Sequence, residues 1–163
     1  MRNRLAEMKF HKHLNRVLEI FLVILMSVLV VDVLWQVISR YILSSPSSFT
    51  DELAGYLLIW VGLLGAAYVA GREEHLAIDL LLQKSPPKRK YFLQMFIHSL
   101  IFLFALTVMV IGGIWLMYTR FVLDVKSAAL QLPLGYVYIV LPLSGVLIMY
   151  YSAYHMKQLI KNR

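Results

Sequence analysis

Three polar residues with helical spacing are the first candidates for chemistry in this sequence. Asp32, Gln36 and Arg40 follow one another at intervals of four inside an apolar stretch, so a helix places them on one face. A carboxylate, an amide and a guanidinium in a row could relay a proton or an ion. The same spacing allows an Asp32–Arg40 interaction bridged by Gln36, or a polar contact with a partner helix. We expect one of these two structural roles, because Arg40 lies where its charge can reach the membrane interface.

Histidines are the second candidates. His98 lies inside a long apolar stretch, and His75 lies in a charged cluster earlier in the chain. A haem site requires two histidines that face each other from different helices, and the spacings match no metal motif. We therefore expect His98 to make an interhelical hydrogen bond. The chain has no cysteine, and we find no phosphate loop or nucleophile–base pair. The sequence predicts no enzyme activity, no cofactor and no metal.

The elements that position these residues are four long apolar stretches. The chain has 163 residues and is 60% hydrophobic, against about 45–50% in an average soluble domain. A helix needs about 20 apolar residues to cross a bilayer, and residues 17–38, 53–71, 91–118 and 134–154 meet this requirement. The sequence therefore predicts an all-α integral membrane protein, with four transmembrane helices bundled in a single domain.

Charge indicates the orientation of the bundle. Of the 16 lysines and arginines, 13 lie in the N-terminal tail, the loop between spans two and three, and the C-terminal tail. The positive-inside rule places these segments, and both termini, in the cytoplasm. The net charge of +7 is thus explained by the membrane, and no nucleic-acid partner is predicted. Residues 76–83 are apolar apart from Asp79 and Gln83, and the segment is too short to span, so we expect a short interfacial helix there. The residues expected at the inner interface and lipid headgroups are Arg72, His75, Asp79, Lys88, Arg89 and Lys90.

The second span carries a surface of small residues. Gly55 and Gly62 are seven apart, and Gly62 and Ala66 are four apart. Small residues let helix backbones approach closely, either inside the bundle or against another membrane subunit, and the sequence does not separate these two interpretations. The residues predicted for a subunit interface are Gly55, Tyr56, Trp60, Gly62, Gly65 and Ala66.

Several short motifs give the chain a family resemblance. Arg40-Tyr41 closes the first span, and Phe49-Thr50-Asp51-Glu52-Leu53 opens the second. Trp60, Gly65-Ala66-Ala67, Arg72, His75 and Asp79 follow, then Leu132-Pro133-Leu134 and Tyr138-x-x-x-Pro142. In their order and spacing, from about residue 14 to 159, these motifs resemble the small membrane subunit (Q-type, DctQ-like) of tripartite ATP-independent periplasmic (TRAP) transporters.

The resemblance implies a role inside a larger assembly. In that family a periplasmic binding protein captures an organic anion, such as sialic acid or a C4-dicarboxylate. A large multi-span subunit then carries the anion with sodium ions across the bacterial inner membrane. The small subunit is non-catalytic and supports the large one as a scaffold. The implied partners are the large subunit, the binding protein and membrane phospholipids. Candidates for docking at the outer face are Arg40, Asp51, Glu52, Arg120, Asp124 and Lys126.

Two other functions stay open at this point. A self-sufficient small multidrug-type exporter is also a four-span bundle, and it would use a membrane-embedded acid, for which Asp32 is the candidate. A haem-binding membrane anchor of a redox enzyme would need a second histidine facing His98. Transport by the purified chain alone would indicate the first function, and a haem absorption band would indicate the second.

Overall fold

The computed structural model describes residues 2–45, 47–72 and 86–161, and these form a helical bundle. The first two helices are α1 (Arg2–Tyr41) and α2 (Ser48–Arg72). A continuous helical run follows, made of α3 (Pro87–Phe104), a π-helical segment (Ala105–Gly112) and α4 (Gly113–Val122). The chain ends with the short α5 (Leu134–Tyr138) and the long α6 (Val140–Lys161). Within these described ranges, β-type pairing is limited to one isolated bridge, between Lys126 and Pro133.

Four helical runs are long and apolar enough to cross a membrane: His11–Tyr41, Ser48–Arg72, Arg89–Val122 and Leu134–Lys161. The predicted all-α bundle of four membrane helices is thereby confirmed. The helices are longer than the apolar stretches because they continue into polar flanks. At about 1.5 Å per residue, the 25 residues of α2 reach beyond the roughly 30 Å of hydrocarbon. The expected interfacial helix, with His75 and Asp79, lies outside the described residues.

The last helix, α6, lies at the centre of the bundle. It packs against α2, α3 and the π-helical segment. One buried cluster joins α1, α2 and α6 through Leu18, Leu64, Val140 and Tyr151. A second joins α2, the third span and α6 through residues that include Ala67, Ala105, Met109 and Ile148. By contrast α1 packs mainly on α2, and much of its apolar surface is exposed, up to 67% at Val31.

Close backbone approach fixes the third span against α6. A methyl group added at Gly145 would lie 2.8 Å from the Cβ of Met109, and one added at Gly113 would lie 3.0 Å from the Cδ of Pro142. Neither glycine has room for a side chain. Pro142 also interrupts its own helix, since it offers no N–H to an earlier carbonyl. The interruption lies at Ile139, between α5 and α6.

The loop between α4 and α5 is held by its own backbone. The N–H of Leu134 donates to the carbonyl of Val125, and the N–H of Ser127 donates to the carbonyl of Leu132, each at 2.9 Å. Two tight bends complete it, with φ of 46° at Asp124 and 55° at Gln131. This compact loop lies beside the start of α2, where it contacts Glu52.

Candidate functional site

The polar stripe of α1 is turned toward α2. Gln36 donates a hydrogen bond to Oδ1 of Asp51. The Nη2 atom of Arg40 lies 3.3 Å from Oδ1 and 3.5 Å from Oδ2 of the same carboxylate. The stripe therefore makes a polar contact with a partner helix, which here is α2 of the same chain, and the expected bridge from Asp32 to Arg40 does not form. The ion pair is about half exposed on both sides, so it contributes only about 0–1 kcal/mol.

Asp32 stands apart from this contact. Its side chain is buried, and Oδ2 has no hydrogen-bond partner among the described residues. A relay requires a continuous series of hydrogen bonds, and in the described part of the chain none joins Asp32 to Gln36 or Arg40. The contacts of Gln36 and Arg40 join the end of α1 to the start of α2.

Glu52 holds the loop between α4 and α5. Its carboxylate accepts three consecutive backbone N–H groups, from Ala128 at 2.9 Å, Ala129 at 3.0 Å and Leu130 at 3.1 Å. The two partners are more than 70 residues apart in sequence, so the spacing of residues gave no sign of this contact. The one sign in the sequence was an acidic residue near the start of a helix, because such a residue needs a polar partner. Glu52, proposed above for docking, is already engaged within the chain.

Replacing Glu52 by glutamine is expected to loosen this loop. The amide keeps one acceptor oxygen and adds donors that repel the N–H groups. Trypsin should then cleave after Lys126 several-fold faster in the detergent-solubilised protein, with helix content unchanged by circular dichroism. Asp51→Asn is the matched control, since it removes the same charge one residue away. Equal cleavage of the two variants would contradict the role given to Glu52.

The small residues of α2 form an exposed face. Gly55, Ile59, Gly62, Ala66 and Val69 are all exposed, and their spacing of four, three, four and three makes a continuous stripe. A methyl group added at Gly55 or Gly62 would meet no atom within 4 Å beyond its own helix. We call this stripe the open α2 face. It contains three of the residues predicted for a subunit interface.

The other predicted interface residues lie at the edge of this face or behind it. Gly65 and Tyr56 are half-buried, although Gly65 has open space around it. Trp60 is turned inward, where it packs against the cluster that joins α1, α2 and α6. Its Nε1–H donates to the carbonyl of Val137 at 3.1 Å. That carbonyl lies beside the interruption caused by Pro142, so Trp60 supplies a donor where the helix is irregular.

Trp60→Phe is expected to destabilise the protein by about 1–3 kcal/mol, because a buried carbonyl would lose its donor. The measurement is thermal or denaturant unfolding in one fixed detergent. Trp115→Phe is the control, since Trp115 is 74% exposed and its loss should change stability by less than about 0.5 kcal/mol. Similar losses in both variants would mean that the Val137 hydrogen bond contributes nothing.

An apolar groove borders the open α2 face. It lies between α2, the third span and α6 and has a volume of about 590 Å³. The residues that line it are all apolar: Leu63, Ala66, Leu100, Ile101, Phe104, Met109 and Ile148. Ala66 belongs to both the groove and the open face. The groove and the open α2 face are therefore adjacent on this side of the bundle.

Three histidines, His11, His98 and His155, lie close together at one end of the bundle. The rings of His98 and His155 are stacked, with centroids 5.5 Å apart, and His11 stacks on Tyr154 at 4.5 Å. Paired haem ligands point end-on at the iron from opposite sides, whereas His98 and His155 lie face to face. In the part of the chain that the structure describes, no group of three histidine or acidic residues is arranged to hold a metal ion.

Comparison with known proteins agrees with this architecture. The family model "Tripartite ATP-independent periplasmic transporters, DctQ component" matches residues 29–162. A Haemophilus influenzae protein, named as a TRAP transporter small permease protein, is 29% identical over 137 residues, which is 83% of this chain and 82% of that protein.

Two further relatives are similar over shorter segments. The sialic acid TRAP transporter small permease protein SiaQ of Vibrio cholerae is 34% identical over 79 residues, which is 48% of this chain and 46% of that protein. The sialic acid TRAP transporter permease protein SiaT of Haemophilus influenzae is 36% identical over 67 residues, which is 41% of this chain and 11% of that protein.

Proposed function

The chain belongs to the DctQ component family of TRAP transporters, and on that premise we propose that it is the scaffold of a large multi-span subunit. As a TRAP small permease subunit it is a non-catalytic multi-pass membrane protein. The large subunit would carry an organic anion together with sodium ions across the bacterial inner membrane. The small subunit would hold that carrier in position while the carrier moves.

The open α2 face is the observation that carries this proposal. Small residues at intervals of three and four let a second helix approach closely, and an added methyl group at Gly62 meets nothing within this chain. The apolar groove beside it would accept larger side chains. We assign this surface to a membrane helix of the large subunit. The similar segment of 67 residues makes up only 11% of a longer permease protein. This supports a partnership between a chain of this family and a larger permease.

A static role fits the packing of the described bundle. Glycines at 113 and 145 bring the third span and α6 into contact that leaves no room for a side chain. Next to the interruption near Pro142, Trp60 donates a hydrogen bond to the carbonyl of Val137. Interlocked packing of this kind resists the sliding that a moving carrier requires. These contacts favour a scaffold over a carrier.

Co-purification tests the assembly. A tagged chain, expressed with the large permease subunit and a substrate-binding protein, should retain the large subunit in mild detergent, and uptake in proteoliposomes should require both membrane subunits. Transport by this chain alone would favour the small multidrug-type exporter. The substrate is proposed as a carboxylate such as sialic acid, named for two relatives, or a C4-dicarboxylate. Competition of each unlabelled anion against labelled uptake separates them.

The outer end is proposed to help dock the binding protein. Arg40 pairs with Asp51, Lys126 pairs with Asp124 at 3.1 Å, and the Arg120 guanidinium lies 5.9 Å from the centroid of the Tyr138 ring. Glu52 is excluded from this test because its reversal would break the loop. Charge reversal at the other five positions, with uptake and assembly measured separately, should lower uptake and leave assembly intact. Unchanged uptake in all five variants would remove the docking role.

The basic end is proposed to face the cytoplasm. There Arg72 ends α2, while Arg89 and Lys90 lie exposed in the first turn of α3 and Lys88 precedes them. Headgroups of anionic lipids would attract these cations. Because the chain has no cysteine, single cysteines report the side directly. A cysteine at position 126 should react with an impermeant maleimide in intact cells, and one at position 90 only after the membrane is opened. The reverse pattern would invert the orientation.

A further inference from the structure

A second cavity opens between α1 and α2, at the end of the bundle that holds the chain termini. It is a groove of about 740 Å³, and it is lined at one end by Lys12, Arg16 and Arg72 and at the other by Ile20, Val23 and Ile24. It is separate from the apolar groove described above, which lies across α2 on the side of the third span. Its lining changes from cationic to aliphatic along a single helix.

The spacing of the α1 residues explains this gradient. Lys12, Arg16, Ile20 and Ile24 occur at intervals of four, so they form one stripe along α1. The stripe extends about 18 Å, at about 1.5 Å per residue. All four residues are exposed, with Ile20 and Ile24 each 54% exposed. A ligand that fits the stripe is anionic at one end and apolar at the other.

The three cations at this end of the groove come from two helices and line the same space. Arg72 comes from the last turn of α2 and lies over the ring of Tyr68, 5.4 Å from its centroid. Lys12 and Arg16 face it from α1, and neither has an ion-pair partner among the described residues. Glu19 is the one carboxylate in the lining, so three cations face one anion. A phosphodiester would be held by the cations, and Glu19 could accept a hydrogen bond from a hydroxyl of its headgroup.

We propose that this groove binds one anionic phospholipid with a glycerol headgroup, of the phosphatidylglycerol type. Its phosphate contacts Lys12, Arg16 and Arg72, and one acyl chain lies along Ile20 and Ile24. Basic pockets between membrane helices are suited to such headgroups. A free phosphate compound would satisfy the cations but would leave the aliphatic half of the groove uncovered. The bound lipid would fill the gap between α1 and α2 and so fix α1, which packs mainly on α2.

The test is lipid binding by the purified full chain in detergent micelles. A fluorescent phosphatidylglycerol is titrated, with phosphatidylcholine of the same acyl chains, inorganic phosphate and glycerol phosphate as competitors. The double variant Lys12→Gln, Arg16→Gln should bind phosphatidylglycerol roughly 25-fold more weakly, since each cation near an anionic headgroup contributes about 1 kcal/mol and every 1.4 kcal/mol is tenfold. The double variant Lys157→Gln, Lys161→Gln makes the same charge change at the same spacing on α6, which does not line the groove, and it should bind within about twofold of the parent.

Four results would overturn the proposal. One is equal weakening in the α6 control, which would mean non-specific charge attraction. Another is equal affinity for phosphatidylcholine. A third is displacement by inorganic phosphate or glycerol phosphate, which would make the ligand a soluble anion. The fourth is loss of the lipid when the chain is assembled with a large permease subunit, which would make the groove a protein interface. Unfolding curves confirm that both double variants are folded before binding is compared.

Discussion

Gly62→Trp is expected to abolish assembly with the large subunit while this chain still folds. The glycine is exposed on α2, and an added Cβ would meet no atom within 4 Å. A tryptophan is therefore accommodated by the isolated bundle. Against a closely packed second helix it would force the two backbones apart, and the small-residue contact would be lost along its whole length. Co-purified large subunit should fall roughly tenfold or more, the result of losing about 1.4 kcal/mol or more of association free energy.

The matched control for this prediction is Ile114→Trp. Ile114 is 48% exposed on α4, within the third span and away from the open α2 face. The same tryptophan there should leave assembly and uptake within about twofold of the parent. Both variants should show unchanged unfolding in detergent. If Gly62→Trp assembles normally, the large subunit does not contact the open α2 face, and the proposal for that surface is wrong.

Tyr151→Ala is expected to cost the bundle about 3–5 kcal/mol, the range for removing a large buried ring. Tyr151 is fully buried, and its hydroxyl donates to Oδ1 of Asn15 at 2.5 Å. A methyl group added at Gly71 would lie 2.8 Å from the tyrosine ring. The side chain thus contacts α1 and α2 from its position on α6. Denaturant unfolding in a fixed detergent measures the loss.

Two further substitutions separate the ring from its hydroxyl. Tyr151→Phe keeps the ring and should cost only about 1 kcal/mol, the net contribution of one hydrogen bond. Tyr118→Ala removes a tyrosine that is 63% exposed and should change stability by less than about 0.5 kcal/mol. If Tyr151→Ala and Tyr118→Ala are equally stable, the α1–α2–α6 junction does not depend on this residue.

The architecture was predictable from sequence because it rests on length and polarity alone. An apolar stretch of about 20 residues has few stable states other than a membrane helix, so all four helices were expected. The ends of the helices were harder to predict. Polar flanks extend α1 well before residue 17, since backbone hydrogen bonds continue after the apolar residues stop.

The contacts of individual polar residues were not predictable, because their partners lie far along the chain. Asp51 accepts from Gln36, 15 residues away, and Trp60 donates to Val137, 77 residues away. Helical spacing suggests only partners on the same helix, which is why an Asp32–Arg40 interaction was the natural expectation. Glycines show the same limit. Gly62 faces open space and Gly145 faces Met109, yet the sequence describes both only as small residues in an apolar helix.

The π-helical segment has a consequence for how the length of this chain can vary. A turn closed by i→i+5 hydrogen bonds contains one residue more than an α-helical turn, so Ala105–Gly112 accommodates a surplus residue locally. Deleting one residue in a regular helix such as α6 turns everything beyond it by about 100°. A deletion within the π-helical segment would instead restore α-helical hydrogen bonding and leave the faces of α3 and α4 in the same phase. We expect single-residue length differences among related chains to concentrate there.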